Sequence, residues 1–148
     1  MKLQDFDFRV WDNKDNNFLK AKLDYLCIAN KDRHKDYERI LDVAEDCSGY
    51  DSTSYFNYTD DRYEIELFTG FYDKNGKKIY ENGILYSFED CAEGEAFKYK
   101  VVLKKGAFYL VECGDNGEEY DEDLISEFQL TELEIIGNIH ENPELLKN

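Results

Sequence analysis

Proline occurs once in these 148 residues, at Pro143. A Pro-rich linker is therefore excluded, and no Gly/Ser tract replaces it, so one domain is expected over residues 1–148. A chain of this length buries about 70% of its unfolded surface on folding. Long apolar runs are absent too. No stretch approaches the ~18 residues of a membrane helix, so no membrane partner is expected. Met1-Lys2-Leu3-Gln4-Asp5 has no apolar run and is not expected to be a signal peptide, which points to the cytoplasm. Positive charge is scarce: 18 Lys and Arg stand against 34 Asp and Glu, a net charge of −16. Such a chain is repelled by nucleic-acid phosphates, and direct DNA or RNA binding is not expected.

The residues that carry familiar chemistry are thinly supplied. Histidine occurs only as His34 and His140, and cysteine only as Cys27, Cys47, Cys91 and Cys113. Structural zinc takes closely spaced ligand pairs, and none of these residues is so spaced. All four cysteines are read as free thiols of a reducing compartment. There is no Gly-x-Ser-x-Gly nucleophile and no Gly-rich phosphate loop. Asp73-Lys74-Asn75-Gly76 has its glycine fourth, not sixth as in a calcium-binding EF-hand loop, and a hairpin turn explains it better. No catalytic residue, metal ligand or cofactor is assigned. Carboxylate pairs such as Glu64/Glu66 carry no signal among so many acids.

Aromatic residues are plentiful at 16%, including twelve Tyr and ten Phe. They favour strands and pack large areas against few neighbours. Phe6, Phe8 and Val10 alternate with polar residues as one strand, and Phe18 to Ala29 reads as a second. Tyr63, Ile65 and Leu67 alternate with Glu64, Glu66 and Phe68, giving another strand. Ile84 to Phe88 is a short strand. Phe97, Tyr99, Val101 and Leu103 alternate with lysines, Lys105-Gly106 turns the chain, and Phe108 to Val111 returns. This predicts a hairpin whose apolar face includes Leu110. Tyr37, Ile40, Leu41 and Ala44 fall at i, i+3, i+4 and i+7, which predicts one main helix over about 33–46. Residues 48–61 read as a long loop or weak strand. Glu118 to Phe128 is ambiguous, with Leu124, Ile125 and Phe128 able to share one side of a short helix. The expected class is α+β, mainly antiparallel, with a curled sheet or small β-barrel.

Three blocks recur to a recognisable design. They are Phe8-Arg9-Val10-Trp11-Asp12, the run Thr69-Gly70-Phe71-Tyr72-Asp73-Lys74-Asn75-Gly76-Lys77-Lys78-Ile79-Tyr80-Glu81, and Ile135-Ile136-Gly137-Asn138-Ile139-His140-Glu141-Asn142-Pro143-Glu144-Leu145-Leu146. In this order they resemble the YopX family of phage and prophage proteins of Gram-positive bacteria. The resemblance implies a viral or prophage context and brings no established activity. One departure stands out. Family members usually read Glu-Gly-Asp-Ile after the Ile-Tyr pair, whereas this chain reads Glu81-Asn82-Gly83-Ile84.

The negative charge is uneven. Residues 101–148 hold twelve acids against Lys104, Lys105 and Lys147. Glu118, Glu119, Asp121, Glu122 and Asp123 form its densest part. The plain reading is a solvated segment; the sharper one is a phosphate mimic that enters a basic cleft on a host protein. The leading functional expectation is a non-enzymatic accessory protein that binds a protein partner, with self-association allowed by exposed aromatics and strand edges. A β-barrel holding a small molecule or nucleotide is the alternative, and a carboxylate hydrolase ranks last.

Overall fold

The computed structural model describes residues 2, 5–19, 25–33, 36–45, 52–57, 62–87, 97–114 and 116–147. The chain divides into two compact units. The first comprises Met1–Trp11 and Ile65–Asn148, and the second is Asp12–Glu64, an insertion in the sequence of the first. Antiparallel β structure dominates both.

The first unit holds a five-stranded antiparallel sheet that curls as a half-barrel. Its strands are β8 (Gly83–Ser87), β9 (Lys98–Lys104), β10 (Ala107–Cys113), β11 (Glu119–Leu124) and β12 (Leu133–Asn138), in the order β11-β10-β9-β8-β12. Among the described residues β11 and β12 end its order, and the sheet stays open as a half-barrel. The β9–β10 hairpin forms as its alternation predicts, with Val101 opposite Leu110 and Leu103 opposite Phe108. Its turn uses positive φ at both Lys105 (53°) and Gly106 (80°), the twist that a two-residue hairpin requires. Val101 and Leu110 are buried, with Tyr99 and Phe108 packed beside them. The apolar face is narrower than its pattern suggests, since Phe97 and Leu103 remain 37% and 36% exposed.

Ile79, Leu85, Ile125, Leu130 and Leu133 complete the core. Burying each such side chain contributes about 1.5–3 kcal/mol. Leu130 arrives on α1, a single turn over Glu127–Leu130. The segment read as ambiguous thus resolves into a strand followed by that turn: Leu124 ends β11, 58% exposed, while Ile125 turns inward. Cys113 is a buried free thiol, and burial pushes its pKa up.

A second group of strands in the same unit is built from β1 (Phe8–Asp12), β6 (Tyr63–Tyr72) and β7 (Lys78–Tyr80). Within this unit β1 lies beside β6, and β6 beside β7. The β6–β7 connection is the expected tight turn. Asp73 Oδ1 accepts the backbone N–H groups of Asn75 and Lys77, and Gly76 takes φ +77°. The other oxygen of Asp73 accepts the N–H of Ile135 in β12, so the carboxylate is occupied by backbone donors.

The terminal block folds as a strand followed by a 3-10 turn over Pro143–Leu146. Asn142 Oδ1 accepts the Asn138 N–H, while the Asn142 N–H donates to the Asn138 carbonyl. Gly137 permits this closure. A Cβ there would stand 2.7 Å from Asn142 Oδ1 and 2.8 Å from Leu145 Cδ1. The Leu145 side chain thus lies close against the backbone of Gly137.

The helix expected over about 33–46 does not form. Its described residues, Arg33 and Asp36–Glu45, lie in a three-stranded antiparallel sheet of the second unit, ordered β3 (Tyr25–Arg33), β4 (Asp36–Glu45) and β5 (Ser52–Asn57). The same residues that satisfy a helical stripe are also strand formers, and β3 supplies a continuous partner. Register runs unbroken from Tyr25 opposite Ala44 to Arg33 opposite Asp36, with Ile28 facing Leu41 and Ala29 facing Ile40. Pairing along nine residues outweighs the weak local preference for a helix. Of residues 48–61, Ser52–Asn57 form a strand. The strand expected over Phe18–Ala29 is represented by β2 (Asn17–Phe18) and the start of β3. His34, Cys47 and Cys91 lie outside the described residues.

An ion pair ties the two ends of this second unit together. Arg62 grips Asp12 with two nitrogens, Nε at 3.0 Å from Oδ1 and Nη2 at 2.7 Å from Oδ2, and Asp12 is 1% exposed. Backbone donors from Lys14 and Asp15 complete the carboxylate, and the Asn13 N–H donates to the Arg62 carbonyl. Hydrogen bonding from Arg62 holds the Asp12 pKa below the usual carboxylate value.

Two outcomes follow. Gly137→Ala must push Asn142 or the tail aside and costs about 1–3 kcal/mol, measured as a lower urea midpoint without a change in slope. A depressed folded pKa makes Asp12 stabilising above its unfolded pKa of ~3.9, with the contribution lost as pH falls through the lower folded value. Asp12→Asn therefore lowers the melting temperature at neutral pH, and the gap to the parent narrows only below about pH 4. A gap that is constant from pH 7 to pH 2 contradicts this account.

Candidate functional site

Strand β6 turns a charged residue inward and an apolar one outward. Ile65 is 36% exposed while Glu66 is fully buried at 0%. A bare carboxylate so placed would cost several kcal/mol, and it persists only because donors surround it. Arg9 Nε lies 2.6 Å from Oε2 of Glu66. Asn138 Nδ2 reaches both carboxylate oxygens, at 3.0 and 3.2 Å. His140 Nε2 stands 3.5 Å from Oε1.

Each partner is itself fixed. Asn138, 2% exposed, spends its amide on Glu66 while its Oδ1 accepts the His140 N–H at 2.9 Å. The His140 ring stacks on buried Trp11, with centroids 5.1 Å apart and planes 15° from parallel. Its Nε2 also lies 3.4 Å from Asn82 Nδ2. A ring protonated at Nε2 donates toward Glu66; a ring with its lone pair there accepts from Asn82. The Arg9 guanidinium lies 4.7 Å from the Tyr80 ring centroid, a cation–π contact.

Tyr80 in turn donates its hydroxyl to Asp7 Oδ2 at 2.6 Å, beside Lys78 Nζ at 2.7 Å on the same oxygen. Burial and the Asp7 contact push the Tyr80 pKa up to about 12, so the phenol stays protonated. Burial raises the Asp7 pKa, but the hydrogen bonds from Lys78 and Tyr80 outweigh it and the net shift is downward.

The three sequence blocks therefore converge. Arg9 and Trp11 come from the first, Tyr80 from the second, and Asn138 and His140 from the third. Glu66, three residues before the second block, is the group on which Arg9 and Asn138 meet. In chemical terms the arrangement is a cross-link: one carboxylate ties β1, β6 and β12 together. The substituted Asn82-Gly83 pair lies at its rim. Asn82 takes φ +62°, the left-handed conformation that Asn tolerates better than most residues, and its carbonyl accepts the Ile139 N–H.

The five acids singled out from sequence lie elsewhere. Glu119, Asp121, Glu122 and Asp123 lie on β11, with Glu118 just before it, and all are exposed. Lys100 bridges to Glu119, and Lys104 to Glu122 at 2.6 Å. Glu118 accepts from the Tyr120 hydroxyl at 3.3 Å. Asp121 and Asp123 have no side-chain partner among the described residues. Sequence reasoning placed this surface and missed Glu66. The usable signal was a polar residue in an apolar frame, Asn138 between Ile136 and Ile139, which needs a buried partner.

A mainly antiparallel β protein with sheet-edge motifs cross-linked by a buried carboxylate is the class these features define. The pattern of the YopX protein family matches residues 7–147, and the chain belongs to that family. The match runs through both compact units. The crystal structure of protein EF1440 from Enterococcus faecalis is similar, at 23% identity and a TM-score of 0.62, covering 96% of this chain and 98% of that one. At that identity the likeness concerns the fold. No curated protein matches the chain. No described helix is long and apolar enough to cross a membrane.

Removing one member of a buried charged pair strands the other. Glu66→Ala is expected to destabilise the first unit by about 3–5 kcal/mol, and Glu66→Gln by less because the amide oxygen still accepts from Asn138. Urea unfolding of both variants checks the order; equal, small losses would show that the carboxylate holds nothing together.

Proposed function

We propose that this protein is a phage or prophage accessory factor that acts by binding a protein partner and not by catalysis. The observation that supports this reading is β11. All six of its residues are exposed, it ends the order of its sheet among the described residues, and four of the six are acidic. Tyr120 and Leu124 add apolar area, at 62% and 58% exposure. An open strand edge is a template for pairing with another chain. Acids on both copies oppose pairing of β11 with itself, whereas a basic extended segment would gain main-chain hydrogen bonds and charge complementarity together. The partner is thus a host protein with a basic strand or cleft, of the kind that otherwise meets nucleic-acid phosphates. The bridges from Lys100 and Lys104 offset part of the charge and leave Asp121 and Asp123 for recognition. The cytoplasm is the compartment that fits such a target.

The buried position of Glu66 supports the non-catalytic part of the reading. Its oxygens already hold Arg9 and Asn138 and face no solvent from which a substrate would arrive.

The test is a complex retrieved from host lysate and then remade from purified components. Replacing Glu118, Glu119, Asp121, Glu122 and Asp123 by Asn or Gln should slow association at least about ten-fold and flatten its salt dependence, while melting changes little. The protein alone should leave duplex DNA unbound at physiological salt. A complex indifferent to salt and to all five changes, or measurable DNA affinity, would count against the proposal.

A further inference from the structure

A cleft of about 290 Å³ opens in the first unit between β7 and β12, which end their sheets in the described order. Its size sits at the small end of the ~300–1,000 Å³ range of ligand pockets. The lining is unusual for so acidic a chain: Arg9, Lys77 and Lys78 stand against a single carboxylate, Glu141.

Two of these cations are held in place before any ligand arrives. Glu66 engages Nε of Arg9, and Asp7 engages Nζ of Lys78; neither acid lines the cleft. Arg9 is further fixed over the Tyr80 ring. The side chain of Lys77 is exposed and has no partner among the described residues. The facing wall offers Ile135 as apolar surface and the Asn138 segment as polar surface. Positioned donors of this kind spare a ligand the ordering that a flexible surface would require. The net charge of −16 does not abolish the attraction. Exposed charges farther than ~8 Å are largely screened at physiological ionic strength, so the nearby groups decide the local field; Glu66 and Asp7 offset Arg9 and Lys78 there, and Lys77 is the cation with no acid bound to it among the described residues.

We propose that this cleft binds a small organic anion, its phosphate or carboxylate group seated between Lys77 and Arg9 and its body against Ile135. Lys78 lines the same cleft and adds a further donor. The site is separate from β11 and does not rest on the protein-binding reading.

Titrations with inorganic phosphate, AMP and succinate, followed by amide NMR and calorimetry, test it. At least one should saturate a single site and shift the amide resonances of Lys77, Gly137 and Asn138. Lys77→Glu, an exposed change that leaves folding intact by melting temperature, should weaken that binding at least about ten-fold. AMP binding without succinate assigns a phosphate ligand, and the reverse assigns a carboxylate. The proposal is overturned if none of the three saturates by about 10 mM, a concentration beyond even a weak millimolar site. It is equally overturned if Lys77→Glu binds as well as the parent, or if the shifts map away from the cleft.

Discussion

Everything distinctive about the first unit depends on the carboxylate of Glu66 being buried without being alone. Its removal from water is affordable only with Arg9 at 2.6 Å and the Asn138 amide across both oxygens. Those two requirements fix the rest. Arg9 must lie on β1 next to β6, which places Trp11 where His140 can stack on it. Asn138 must end β12 with its amide inward, which requires the turn that Asn142 closes and the bare backbone of Gly137. Three separated blocks of sequence are thus one constraint seen three times.

This constraint also shapes the surface. Arg9 is held by Glu66 on one side and lines the β7–β12 cleft on the other. Lys78 is shared in the same way between Asp7 and that cleft. Acids behind the wall orient the donor groups in front of it, so an acidic chain presents a cluster of positioned Lys and Arg donors. On the opposite edge of the half-barrel, β11 presents the reverse, a strand whose lysine partners are too few for its acids.

Legibility in the sequence followed the distance over which each interaction acts. The β9–β10 hairpin was readable because its turn and its alternation are local, and Lys105-Gly106 takes the expected positive φ angles. The Asp73–Gly76 turn was readable for the same reason. The stretch 33–46 was misread because Tyr37, Ile40, Leu41 and Ala44 trace a helix stripe, while Tyr37, Ile40 and Val43 also favour a strand and the deciding partner is β3. Glu66 was invisible for a related reason. Its alternation with Ile65 says outward, and only partners 57 and 72 residues away make the inward position tolerable. The acidic strand was legible as charge but not as a sheet edge, since that status depends on which strand lacks a further neighbour.

The insertion of the second unit has a kinetic consequence. Arg9 meets Glu66 only after 57 positions of chain have been looped out. The entropy of closing such a loop must be lost before the ion pair returns anything. The grip of Arg62 on Asp12 shortens that loop: once the two ends of the insertion are joined, Arg9 and Glu66 are separated by only a few residues on either side of the junction. The buried pair at the mouth of the insertion closes a loop of 50 positions itself, so that entropy is lost once for both pairs, and Arg9 and Glu66 then span only the short remainder.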